Sequence, residues 1–304
     1  MARQKQNRSL QHYTMLVIAY VVLSFVIPLN RATREAYNLD LTQAHIIAFI
    51  TVLPLFGIWF IAFYCYGLLQ RYATSIHKAR EGFAFKKLAD GVAVLSWGIV
   101  IQAFASLILN GIADQIPSFH GGAIVLQNYF ALAFPLVAFT AISTGTRHLL
   151  LGKQNYASLP TSRLLLILFS LVAAVYSYLV LHLRSTGNGN AFYLPTFLLI
   201  STVVVPYLYA WFSGLIAAYD IHLYARVTHG LLYKRSLGLL SAGLIVLIVA
   251  SILMQYLNSL LLTATGNVSL NVMLLLDYVL LIGIGAGYGL MAKGIRGLQR
   301  IEEI

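Results

Sequence analysis

Asp277 is the one acidic residue between Arg235 and Lys293, and it lies inside a long apolar run. An ionisable side chain at membrane depth is costly and ordinarily faces a partner or a watery cavity. Tyr278 follows it directly, and 149 positions earlier the pair reads Asn128-Tyr129, the same shapes with the charge removed. Asn110 and Asn258 add two amides in similarly apolar surroundings. Asn110, Asn128, Tyr129, Asn258, Asp277 and Tyr278 are therefore the candidate residues for binding a small solute or an ion. A duplicated pair with one ionisable copy suits a proton- or cation-coupled site, with the amides as its partners. The blander reading places Asp277 at the outer interface or against a tyrosine hydroxyl, and assigns the tyrosines to an interfacial aromatic belt.

An internal repeat says what must position these residues. Glu81-Gly82-Phe83-Ala84-Phe85-Lys86-Lys87 recurs as His229-Gly230-Leu231-Leu232-Tyr233-Lys234-Arg235, and Leu109-Asn110 recurs as Leu257-Asn258. Gly145-Thr146-Arg147 recurs as Gly294-Ile295-Arg296, and Pro54 with Trp59-Phe60 recurs as Pro206 with Trp211-Phe212. The order is kept and the offset stays between 148 and 152 positions, which isolated chance matches do not do. The expectation is an intramembrane duplication whose halves face each other across a pseudo-symmetry axis.

Composition agrees with a membrane setting. The 304 residues are 60% hydrophobic and 10% charged, with mean hydropathy +0.81, where a soluble chain carries about a quarter charged residues. Eight runs long enough to cross a bilayer can be read off, at 13–29, 42–70, 91–112, 123–146, 164–183, 192–219, 237–262 and 270–292. Seventeen of the 20 lysines and arginines fall in the two tails and in the loops on the same side as them; only Arg31, Arg34 and Arg184 lie opposite. That bias predicts an even number of spans with both termini cytoplasmic. The basic start and the run 13–29 resemble a signal peptide, but no small-residue cleavage pattern follows, so an uncleaved anchor is expected.

The expected fold is thus an all-α polytopic membrane protein of about eight transmembrane helices, arranged as two parallel four-helix repeats (4+4). Its parts are a cytoplasmic tail 1–12, a first repeat 13–150, a linker 151–163, a second repeat 164–296 and a tail 297–304. A unit with an even number of spans returns to its starting side, so its duplicate keeps its orientation and the relating axis runs along the membrane normal. Pro54 and Pro206 are candidate kinks, since proline removes a helical hydrogen bond. Gly283, Gly285, Gly287 and Gly289 form small-xxx-small faces suited to close helix approach.

The basic segments 81–90 and 229–238 read as short interfacial elbows, with Lys86, Lys87, Lys234 and Arg235 toward anionic headgroups or a partner protein. Asp90 is placed to support a helix N-terminus at Gly91. The net charge of +11 is distributed by topology rather than as a nucleic-acid patch, so no nucleic acid is expected. The eight histidines lack metal or haem spacing, and no hydrolase or nucleotide motif occurs, so no metal, cofactor or catalytic residue is assigned and an enzyme is the less favoured reading. The single cysteine, Cys65, cannot form an intrachain disulfide.

Two functions remain. The leading one is a secondary transporter or permease-like carrier in the cell membrane, with a polar site for a small solute or ion between the repeats. The alternative is a non-transporting sensor, assembly factor or subunit that docks a cytosolic or membrane partner through the paired basic elbows.

Overall fold

A chain this apolar has few ways to satisfy its backbone away from water, and it takes the helical one. The computed structural model describes residues 2–26, 34–35, 38–76, 79–116, 120–151, 205–228, 230–265 and 270–302. Seven long helices are found there: α1 Ala2–Val26, α2 Leu41–Ser75, α3 Ala79–Gln115, α4 His120–Leu151, α5 Val205–Val227, α6 Leu231–Thr265 and α7 Leu270–Glu302. No strand occurs among the described residues. Four stretches, Leu53–Ser75, Arg80–Gln115, Leu231–Leu253 and Leu274–Ile301, are long and apolar enough to cross a membrane, the signature of an integral membrane protein. The expected spans 42–70, 91–112, 123–146, 237–262 and 270–292 fall on helices, 13–29 does so as far as residue 26 and 192–219 from residue 205 onward; the span 164–183 and the linker beyond Leu151 lie outside the described residues.

Local signals set the helix starts. At α2 the Asp40 carboxylate accepts from the Gln43 amide at 2.7 Å while the Gln43 side chain accepts from the Asp40 amide at 3.1 Å, a reciprocal capping box. The turn from α5 to α6 passes through Gly230 at φ +106°, a backbone state that a side chain disfavours. The segments expected as separate elbows are instead the opening turns of α3 and α6, which run on into the apolar stretch without a break. Asp90 consequently stands well inside α3, where it pairs with Lys87 at 4.0 Å rather than supporting a helix start.

Six helices close into a ring in which each touches the next, α2 to α3, α3 to α4, α4 to α5, α5 to α6, α6 to α7 and α7 back to α2, while α1 leans on α2 and α3 from outside. An aromatic knot of Tyr20, Phe56, Trp59 and Phe104 anchors α1 there. With lipid outside, hydrophobicity gives the seams little, and close packing must hold them. The α3–α4 and α6–α7 seams achieve it in the same way. A Cβ on Gly145 would sit 2.7 Å from the Ala84 carbonyl, and one on Gly294 would sit 2.5 Å from that of Ser236. Further along, Gly91 lies against Ala138 and Ile142, and Gly243 against Gly287 and Met291. Of the four α7 glycines, Gly283 and Gly287 face α6, whereas Gly289 has open space beside it.

The packing is uneven along the ring. Most of the largest fully buried side chains, among them Tyr72, Phe85, Phe139, Ile221, Leu237 and Tyr288, belong to the half nearer the basic segments. At the other end Leu41, Ile46, Leu53, Ile112, Val272 and Leu275 are exposed.

Candidate functional site

At the end away from the basic segments, Asn110 and Tyr278, both expected to bind a solute, stand at different seams. Asn110 is half-buried on α3 and its side-chain oxygen accepts from Gln127 of α4 at 2.9 Å. Gln127 also reaches the Ser106 carbonyl at 3.4 Å, so this amide pair ties α3 to α4. Asp114, one turn beyond Asn110, faces Arg34 at 3.7 Å. Asp277 is half-buried and partnered on α7. Asn128 and Tyr129 belong to α4 and Asn258 to α6, and their side chains lie outside the described residues.

Tyr278 has a definite task. Its hydroxyl donates to the Ile50 carbonyl on α2. Pro54, inside α2, has no N–H to offer the carbonyl four residues before it, and that carbonyl belongs to Ile50. A residue expected to line a pocket therefore closes the backbone gap made by a residue expected to kink a helix, and the bond crosses the α7–α2 seam. Pro206 stands in the first described turn of α5, and the residues before 205 lie outside the described residues.

The basic end holds a polar cluster that the spacing of conspicuous residues does not announce. Glu81, in the first turn of α3, is 9% exposed. One carboxylate oxygen accepts from Tyr224 of α5 at 3.0 Å and the other from Tyr233 of α6 at 3.3 Å. Tyr72 of α2, fully buried, brings its phenol against Tyr233 and its ring edge-on to Phe85 at 4.7 Å. Tyr224 lies beyond the apolar run that ends at residue 219; burial first, and then the Glu81 carboxylate beside it, push its phenol up to about 12. It remains a hydroxyl donor at any physiological pH. The neighbouring Arg80 is engaged elsewhere, donating to the Leu149 and Leu150 carbonyls at 2.5 and 2.8 Å at the C-terminus of α4, where unsatisfied carbonyls attract a cation.

The α4–α5 and α7–α2 seams carry arginines 149 positions apart. Arg147 of α4 pairs with the buried Asp220 of α5 at 3.8 Å. Arg296 of α7 sits 5.1 Å over the Tyr64 ring of α2, and nearby Gln299 donates to the Leu68 carbonyl at 3.2 Å. Beneath Glu81 lies a small apolar cavity lined by residues including Phe85, Leu88, Leu237 and Leu240.

Lys86, Lys234 and Arg235 are exposed, and Lys87 lies 5.9 Å over the Phe83 ring. Phe83 itself packs edge-on to the buried His148 at 4.6 Å. Leu231 and Leu232, which align with Phe83 and Ala84 by sequence, behave differently, being 88% and 66% exposed.

Signals for the basic-end cluster were present but quiet: Glu81 is an acid among bases, and tyrosines recur near both basic segments. No protein family, no curated protein and no solved structure matches this chain.

Proposed function

We propose that the protein is a secondary carrier of a small solute or ion, built as two parallel four-helix units with both termini in the cytoplasm. The observation that carries this reading is the ring itself. Each seam of its first half has a counterpart in the second, and the α3–α4 and α6–α7 seams repeat the same glycine contacts at steps of 152 positions on α3 and α6 and 149 on α4 and α7. Two units related in this way, tight at the basic end and carrying half-buried polar groups at the other, suit a site exposed to alternate sides by rocking about a shared axis. Asn110, Asp277 and their neighbours are the groups offered to the solute, and Tyr278 ties α7 to α2 beside them. A screen of small solutes for thermal stabilisation of the purified protein tests this, since a ligand of the folded state raises its melting temperature. A true cargo stabilises the wild type and loses its effect in Asp277→Asn and Asn110→Ala. Stabilisation that survives both substitutions would reject this placement of the site.

The second reading, a membrane subunit that docks a partner, is favoured by one feature. Leu231 and Leu232 are exposed beside Lys234 and Arg235, an apolar and basic edge that would serve a partner or an anionic bilayer surface alike. Charge reversal at Lys86, Lys87, Lys234 and Arg235 abolishes co-purification of a partner if that reading is right, and leaves solute binding intact if the carrier reading is.

A further inference from the structure

We propose that Glu81, Tyr233, Tyr224 and Tyr72 are the gate that closes the basic end of the carrier, placed on the axis relating its two halves; the proposal rests on the carrier reading above.

The close approaches set the register. Gly145 rests on Ala84, Lys87 and Leu88, and Gly294 rests on Ser236, Leu239 and Leu240. Each contact on α6 comes 152 positions after its counterpart on α3. Gly91 and Gly243, which meet equivalent partners on α4 and α7, are separated by the same step. Pro54 and Trp59 on α2 are likewise 152 positions before Pro206 and Trp211 on α5. In this register Glu81 corresponds to Tyr233, and Tyr72 corresponds to Tyr224.

The four residues therefore form two counterpart pairs, and they are gathered in one cluster. Tyr233 donates to Glu81 at 3.3 Å, Tyr224 donates to the same carboxylate at 3.0 Å, and the Tyr72 phenol lies against Tyr233. In a two-fold arrangement a residue touches its own counterpart only beside the axis, because elsewhere the rotation carries the two apart. Glu81 and Tyr233 thus mark where the axis leaves the ring at its basic end. The cavity behind them includes two further counterpart pairs in its lining, Phe85 with Leu237 and Leu88 with Leu240, but its remaining walls come mainly from α4 and α5, so it reaches from the axis toward that side.

The chemistry suits a closure that opens. Bonds from hydroxyl to carboxylate are strong and directional, yet water can replace each of them once the halves separate. An aliphatic plug would offer no such exchange. Glu81 is also the member of the first turn of α3 that reaches across to the other half, since its neighbour Arg80 is spent on α4 within its own half.

The test reads the distance across the basic end. In a Cys65→Ala background, nitroxide labels at cysteines replacing the exposed Lys86 and Lys234 would be measured by pulsed electron resonance in lipid nanodiscs. The unaltered gate gives one short component. Glu81→Gln shifts part of the population to a second, longer component, and so does the double variant Tyr224→Phe with Tyr233→Phe. That double variant removes only two oxygens and keeps the rings, so it carries the test where Glu81→Gln fails to fold. A single unchanged distance in a folded double variant would overturn the gate while leaving the carrier untouched. A gate that opens while Asn110 and Asp277 stay inaccessible from both faces would overturn the carrier reading, and the gate with it.

Discussion

The Tyr278 hydroxyl donates to the Ile50 carbonyl, the one acceptor in α2 that Pro54 leaves without its helical donor. The bond explains how a proline is tolerated inside a helix surrounded by lipid, where an unsatisfied carbonyl has no water to turn to. It also ties the backbone of α2 beside Pro54 to α7 across this seam.

Tyr278→Phe should therefore lower stability by about 1–3 kcal/mol, the cost of leaving a carbonyl unsatisfied where lipid rather than water surrounds the helix. Pro54→Ala restores the helical donor, and in that background Tyr278→Phe should cost much less. A thermal-unfolding double-mutant cycle checks this coupling; equal costs in both backgrounds would show that Tyr278 does not serve the carbonyl left by Pro54.

Alanine at Gly145, Gly243 or Gly294 would place its Cβ 2.5–2.7 Å from a backbone carbonyl of the facing helix. Neither side can yield without parting the helices, so each substitution should cost roughly 1–3 kcal/mol or more. Gly289→Ala, with nothing within 4 Å of its Cβ, should be neutral or gain up to about 1 kcal/mol of helix propensity. Melting temperatures of the purified variants rank the four sites.

Asp220 stands just past the apolar run 192–219. Burial raises its carboxyl above the ordinary 3.8, and Arg147 partly pulls it back. A carboxyl raised on folding favours the folded state most below its unfolded value, and the contribution fades as pH climbs through the folded value. Asp220→Asn should accordingly flatten the pH dependence of unfolding from about pH 4 upward. A slope unchanged by the substitution would show that Asp220 does not set it.

Much of this architecture is legible in the sequence because lipid imposes long uncharged runs, and α2, α3, α6 and α7 follow them. The register between the proposed halves is harder to read. Matching Lys86-Lys87 with Lys234-Arg235 pairs Glu81 with His229, whereas the glycine contacts pair it with Tyr233, one helical turn away. Surface lysines report which side of a membrane they face and say little about packing, while glycines under a neighbouring carbonyl report packing directly. The candidate site was read from buried polarity, which identifies Asn110 and Tyr278 as residues with partners but not who the partners are. Gln127 and a backbone carbonyl are the answers, and each comes from a neighbouring helix that spacing along one chain does not reveal. Nothing along the chain marks Glu81 as a buried acceptor, because its burial depends on α5 and α6 closing over it.

Carriage through the ring is the central claim, and side-specific thiol labelling tests it most directly. Cys65 is the chain's one cysteine, so Cys65→Ala gives a silent background for single cysteines at Asn110 and Asp277. The account predicts that an impermeant reagent reaches both positions from either membrane face, with access from the basic face rising when Glu81 is replaced by Gln. Absence of labelling from both faces would contradict it and make these residues packing groups of a membrane subunit.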